Sequence, residues 1–377
     1  MEDLSIGKGD GSDVATQVIG ILNRIGLLNS QKLIYDDEVE NSVKAFQQLR
    51  GLSITGVVNA ITLRSLEEAR WKLGDRSIYV KEQPLMRGDD IATLQSRLTE
   101  MGFDCGRVDG VFGHRTESAV KEFQKSVGAT IDGKCGPTTI TALFRLTKTI
   151  SGGTPSTLRE SAVQKNRGPS LANKIIVLDP SCGGENKGIS AHGVDESEIV
   201  YDIAQRLEGR LLALGVSVFL TRGSNNCPTE FERIAFSNET KADLMVSFHV
   251  DSYPNQKAEG VSTYFYGSQT HGIHSVVGDR FASLVQREIC ARTDLLNCRT
   301  HAKTWDLLRL TTAPTVRVEL GYLTNSHDAD RLGRGDFRDA IAESLVIAIQ
   351  RLYLASEDDA KTGTLRIEDL RKAGLRK

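Results

Sequence analysis

Two periodicities divide the chain. Up to about Leu146, apolar positions recur every three to four residues, the spacing of one helix face; from Lys174 onward, short unbroken apolar runs alternate with longer helical stripes. The first part repeats itself. SVKAFQQLRGLSITGVVNAITLRSL, from Ser42, lies over AVKEFQKSVGATIDGKCGPTTITAL, from Ala119, so that Phe46 meets Phe123, Gln47 meets Gln124, Gly56 meets Gly133 and Leu66 meets Leu143. Each copy predicts three short helices with a glycine turn before the last, which makes residues 1–72 and 82–147 two small all-α modules. Phe46 and Phe123 read as core. Between the helices of the second copy stands DGVFG, Asp109 to Gly113, where glycines permit backbone angles other residues resist; the first copy has YDDEV there and is the more eroded. Residues 148–173, rich in Ser, Thr, Gly and basic residues and without periodicity, form a linker.

The second part, residues 174–354, predicts an α/β domain with a central, mostly parallel sheet flanked by helices. IIVLD, VSVFLTR, DLMVSFHV, GVSTYFYG and TVRVELG are strands, and SEIVYDIAQRLEGRLLALG, PTEFERIAFSNETKA, the stretch from Val277 to Thr293, and FRDAIAESLVIAIQRLYL are helices. Polar groups stand at the ends of these elements: Glu196 at the start of a helix, His249 closing SFH, Glu319 closing TVRVE. A buried run has little reason to carry such residues unless they are paired, bound to metal or facing a cleft, and in sheets of this kind ligands gather at strand carboxyl ends. Cys182 lies in the loop DPSCGG after the first strand.

Composition narrows the partners. With a formal net charge of -2 the chain has no global basic field for nucleic acid or an anionic membrane, and no run is long enough to cross a bilayer. Its start, MEDLSIGKGDGSDV, lacks the basic and apolar segments of a secretory signal, and six scattered cysteines without a CxxC pair suit a reducing compartment. The expectation is a cytoplasmic protein. Cys105 and Cys135 are the only cysteine pair within one small module.

The strings AVKEFQ, DGVFG and DGKCGPTT resemble the three-helix peptidoglycan-binding module found beside cell-wall hydrolases. DPSCGG, the Glu of DESEIVYDIA, LTR, ADLMVSFHVDS, GVSTYF and PTVRVELGYLTN, spread over Lys174 to Leu354, resemble the zinc-dependent N-acetylmuramoyl-L-alanine amidases of the third amidase family. That resemblance implies a zinc site with Cys182, Glu196 and His249 at the three ligand positions and Glu319 as general base. Zinc with three protein ligands keeps an open position for water, lowers its pKa to about 7 and polarises the scissile carbonyl, while the carboxylate moves the proton. Three places depart from the family, one of them VDS, Val250 to Ser252, where the family prefers small residues and Asn. Cys182 stands where the family has histidine; a thiolate binds zinc but leaves it a weaker Lewis acid. Ser181 replaces a glycine, and His192 is a second imidazole in a polar loop nearby.

The stretch from Asp294 to Asn325 and the tail, residues 355–377, are similar to an actinobacterial subgroup of the family with the same paired modules, lost ligands and no signal peptide. The subgroup is understood as a cytoplasmic regulator of peptidoglycan precursor synthesis under a Ser/Thr kinase. The resemblance implies a pseudoenzyme that binds peptidoglycan precursors or muropeptides and a peptidoglycan-synthesis enzyme, with Thr362 or Thr364 in KTGTLRIEDL as the phosphorylated residue. Two other readings stay open: a working zinc amidase cutting the MurNAc-L-Ala amide, and a non-catalytic muropeptide-binding protein.

Overall fold

A computed structural model of the chain describes residues 4–31, 33–146, 160–162, 164, 168, 170–268 and 273–353. These fall into two units: the first runs to Ala162 and includes Tyr266–Ser275 and Ala302–Leu310, and the second holds the rest.

The first unit carries the expected two sets of three helices, α1 (Asp13–Arg24), α2 (Asp37–Leu49), α3 (Ala60–Ala69), and α4 (Asp89–Glu100), α5 (His114–Ser126), α6 (Pro137–Arg145). Side-chain oxygens of Ser12, Asp36 and Asn59 take the free amides at the starts of α1 to α3. Each set closes its own core, around Leu22, Phe46 and Leu66 in one and Leu98, Phe123 and Leu143 in the other. The repeat is explained by a buried glutamine. Gln124 on α5 accepts from the amides of Asp132 and Gly133 and donates to Asp132 Oδ1, the Lys134 carbonyl and Thr139 Oγ1, so one side chain knots the loop before α6. Gln47 does the same to Thr55, Gly56, Val57 and Thr62. Gly56 and Gly133 have φ of 73° and 71°, and a β-carbon on either would strike the Lys and Glu side chains of the preceding helix. Gln95 on α4 ties the DGVFG loop in the same manner through Asp109, Gly110, Val111 and Thr116. Among the described residues the eroded first module has no counterpart to the Gln95 knot. Val18 sits where the repeat would place a partner to Gln95, and buried Tyr35 donates its hydroxyl to the Gly56 carbonyl instead.

A seven-stranded sheet runs in the order β4-β1-β5-β9-β6-β7, with β8 also pairing β6; most of it belongs to the second unit, while β7 and the last residues of β6 and β8 fall in the first. Its strands are β1 (Ile175–Pro180), β4 (Ser217–Leu220), β5 (Leu244–Asp251), β6 (Val261–Ser268), β7 (Ile273–His274), β8 (Asn297–Lys303) and β9 (Thr315–Tyr322); a separate hairpin pairs β2 (Ser190–Ala191) with β3 (Val194–Asp195). β4, β1, β5 and β9 run parallel, and β6 turns antiparallel to β9. The helices are α7 (Glu196–Ala213), α8 (Glu230–Glu239), α9 (Val276–Arg292), α11 (Ser326–Gly333) and α12 (Gly335–Tyr353); the short α10 (Asp306–Leu310) belongs to the first unit, where nearly buried Arg309 meets both oxygens of Glu68 at 2.7 and 3.0 Å.

Strand side chains alternate between faces, and this sheet separates chemistry by face. Val246 and Phe248 of β5 and Val316, Val318 and Leu320 of β9 enter one core with Ile203 of α7, Phe281 of α9 and Leu345 of α12. The other face is polar. Asp179, Ser247, Arg317 and Tyr264 are successive register partners across β1, β5, β9 and β6, and His249, Glu319 and Ser262 form the row beside them.

Candidate active site

The candidate residues meet at the carboxyl ends of β1, β5 and β9, where chain alternation leaves the loops free to supply polar groups. Asp179 anchors the floor. Thr221, Arg233 and Ser247 each donate to it at 2.6 Å. Burial pushes its carboxyl up, but Arg233 and the two hydroxyls outweigh burial and hold it below the ordinary carboxylate range. Because the one proton of Ser247 goes to Asp179, the ring Nε2 of His249, 3.1 Å from Ser247 Oγ, is the donor in that contact. This fixes the ring and turns Nδ1 toward Glu196 Oε1, 3.6 Å away.

Glu196 opens α7 and is 3% exposed. Its Oε1 accepts from the Ser181 hydroxyl at 2.7 Å and from the Val250 amide at 3.3 Å, and Oε2 accepts from the Ile189 amide at 3.1 Å. Burial raises this carboxyl, yet the His249 ring beside it and the hydrogen bonds from Ser181 and Ile189 prevail and bring it down to about 2. Ser181 therefore explains what its hydroxyl is for: it occupies a lone pair of Glu196.

Cys182 is half-buried one residue further along. Its loop is pinned by Arg222, which donates to the carbonyls of Pro180, Ser181 and Ser197 and lies 4.8 Å over the Tyr201 ring. Gly188, at φ 68°, backs against both the Cys182 thiol and the Glu196 carboxylate, and a β-carbon there would collide with each. Burial and the neighbouring Glu196 charge push the thiol's pKa up, away from the thiolate form that binds metals. His192 lies elsewhere, exposed in the β2–β3 turn at φ 51°.

Glu319 is 5% exposed and is held by Arg317, two residues back on the same face of β9. The Arg317 Nε donates to Glu319 Oε1 at 2.8 Å and a terminal nitrogen lies 2.5 Å from the same oxygen, while buried Oε2 has no hydrogen-bond partner. Thr362 and Thr364 lie outside the described residues. Arg317, Ser247 and Ser181's bond to Glu196 are the parts that reading the sequence did not assign.

The family fold implies zinc, and the donors can be tested against it. His249 and Glu196 have the aspect of a ligand pair, since the far ring nitrogen is tied by Ser247 and Asp179 as metal-binding histidines are. The third corner does not follow. Among the described residues no three His, Cys, Asp or Glu side chains are arranged to hold a metal ion, and burial with the Glu196 charge pushes the Cys182 thiol away from the thiolate a metal would need. As a three-donor zinc cradle, Cys182, Glu196 and His249 do not fit.

An α/β sheet with polar groups at its strand ends, behind two helical repeat modules, describes the class. The family follows from comparison. Residues 176–351 match the N-acetylmuramoyl-L-alanine amidase family model, and residues 17–66 and 87–143 match a peptidoglycan binding domain. The chain is 40% identical over 377 residues to the Mycobacterium tuberculosis protein called N-acetylmuramoyl-L-alanine amidase CwlM, covering 96% of this chain and 93% of that one. It is 27% identical over 246 residues to the amidase AmiC of Neisseria meningitidis, with 55% and 59% covered. The solved amidase AmiC2 of Nostoc punctiforme aligns at 26% identity over 47% of this chain and 94% of its own, with a TM-score of 0.43. This chain belongs to the N-acetylmuramoyl-L-alanine amidase family.

Proposed function

We propose that this chain is an amidase-family protein with a disabled hydrolytic site, which acts in the cytoplasm as a regulator of peptidoglycan precursor synthesis. The observation that carries the reading is the state of Cys182: a half-buried thiol, pushed toward its protonated form by burial and the Glu196 charge, stands where the family has an imidazole. A cleft so arranged retains shape and hydrogen-bonding groups for a muramyl peptide and lacks the means to activate water on it. Its ligands are peptidoglycan precursors or muropeptides, consistent with the two wall-binding modules. Its partners are a peptidoglycan-synthesis enzyme and a Ser/Thr protein kinase acting on Thr362 or Thr364. Phosphate there would add about −1.5 to −2 charge close to Arg366 and alter what the tail docks on. Six free cysteines support a reducing compartment. No helix among the described residues is long and apolar enough to cross a membrane.

A second reading, hydrolysis of the MurNAc-L-Ala amide, is favoured by the His249–Glu196 approach and by Glu319 Oε2, a bare acceptor able to take a proton from water. Incubation of the full chain, with zinc supplied, on soluble MurNAc-peptide separates the two. The regulator binds the peptide by calorimetry and releases no L-alanyl peptide by mass spectrometry. Release that disappears in Glu319→Gln would establish the enzyme.

A further inference from the structure

Arg317 is a half-buried cation that neither the fold nor the amidase reading requires. It occurs in an otherwise apolar strand, TVRVELGY, and shares a face with Glu319 because the two are two residues apart. Register places it at the centre of the polar face, with Ser247 of β5 on one side and Tyr264 of β6 on the other. The row beside it holds His249, Glu319 and Ser262. Carboxylates converge on the guanidinium: Glu319 by direct contact, Glu230 and Glu196 through space. Burial alone would disfavour the charged guanidinium, and these carboxylates more than offset it. A cleft whose acidic groups would otherwise draw in a divalent ion therefore already contains a positive charge, covalently attached to its own strand.

We propose that Arg317 is the built-in cation of this cleft, a positioning residue that ties up Glu319 Oε1 and supplies the positive charge a zinc ion would bring, so that zinc is held off. The inference deepens the reading of the cleft as non-hydrolytic and rests on it. Two charges of the same sign cannot both be accommodated cheaply beside Glu319 and Glu196 where little water screens them. Glu319 Oε2 is left without a hydrogen-bond partner and open to one from outside. The cleft then takes a neutral hydrogen-bond donor, an amide N–H or hydroxyl of a muramyl peptide, in preference to a metal.

Zinc titration of the full chain by calorimetry, with competing chelator, tests this. Arg317→Leu and the polar, uncharged Arg317→Gln are expected to bind zinc at least about tenfold more tightly than the parent, because each removes the resident charge. Arg317→Lys, which keeps the charge, is expected to stay within about twofold of the parent, well short of one tenfold step. Adding Glu319→Gln to Arg317→Leu should abolish the gain, which places the ion at the carboxylate that Arg317 had tied up and not on a cysteine elsewhere. Two neutral variants give a folded protein to measure even where one is unstable, with circular dichroism as the check. Unchanged affinity in both neutral variants, or an equal gain in Arg317→Lys, overturns the assignment of Arg317. Cleavage of MurNAc-peptide by the parent chain would instead overturn the non-hydrolytic reading, so the two failures are told apart.

Discussion

Arg233→Met offers the sharpest test of how the cleft floor is held. Among the described residues Arg233 is the one charged donor to Asp179, whose side chain is fully buried, and the contact is 2.6 Å. Methionine preserves most of the volume and removes the charge, leaving a buried carboxylate with two hydroxyl donors, Thr221 and Ser247. Breaking one partner of a buried ion pair costs about 3–5 kcal/mol. The surviving hydroxyls place this case at the lower end, about 3 kcal/mol, or roughly a hundredfold in an opening equilibrium. Both tryptophans, Trp71 and Trp305, lie in the first unit, so fluorescence would miss the event. Hydrogen exchange resolved to peptides from β1 and β5 reads it directly, since these strands exchange through the larger openings. Exchange roughly a hundredfold faster is expected there, and Asp179→Asn in the same chain should recover more than half of the loss by removing the orphaned charge. Acceleration below about tenfold, or a double variant no better than the single, would refute the idea that Arg233 balances the Asp179 charge.

Three further outcomes follow from the same contacts. The folded-state pKa of Asp179 lies below its unfolded value, so its stabilisation is complete above about pH 4 and is lost as pH falls through the lower folded value; protection of β1 and β5 amides, taken relative to the intrinsic exchange rate at each pH, should be steady from neutrality down to about pH 5 and fall below about 4, with a shallower acid slope in Asp179→Asn. Gln124→Leu should loosen the second module by about 2–4 kcal/mol, because it strands the amides of Asp132 and Gly133 as well as the Lys134 carbonyl, and protease cutting between Ala129 and Gly136 would report it; no change in cutting would mean the knot is dispensable. Kinase treatment followed by mass spectrometry should find phosphate on Thr362 or Thr364, and finding both unmodified after complete reaction would remove the tail from the account.

Much of the architecture was legible because burial leaves a period in the sequence. The six module helices and the strands β1, β5, β6 and β9 coincide with apolar stripes or runs that pack into one of three cores. β8 was missed because NCRTHAK has no apolar face; it pairs β6 with its side chains largely exposed. The β2–β3 hairpin and the short helices α10 and α11 were likewise too brief to establish a period, although Asn325 capping α11 was a local signal. At the site, Glu196, His249 and Glu319 stood out as polar residues among apolar ones. Arg317 carried the same signal in the same string, but its meaning depends on strand register, which brings Ser247 and Tyr264 alongside it. Ser181 was visible as a departure from the family's glycine. That its hydroxyl turns onto Glu196 is a tertiary fact, set by the start of α7 approaching the end of β1.

The central claim is that Cys182, Glu196 and His249 no longer act together as a zinc cradle. Zinc per chain, measured by elemental analysis after purification with zinc and removal of loosely held metal, tests it most directly. The account predicts well under one zinc per chain, unaffected by Cys182→Ser or His249→Ala. One zinc per chain that is lost in both of those variants would contradict it.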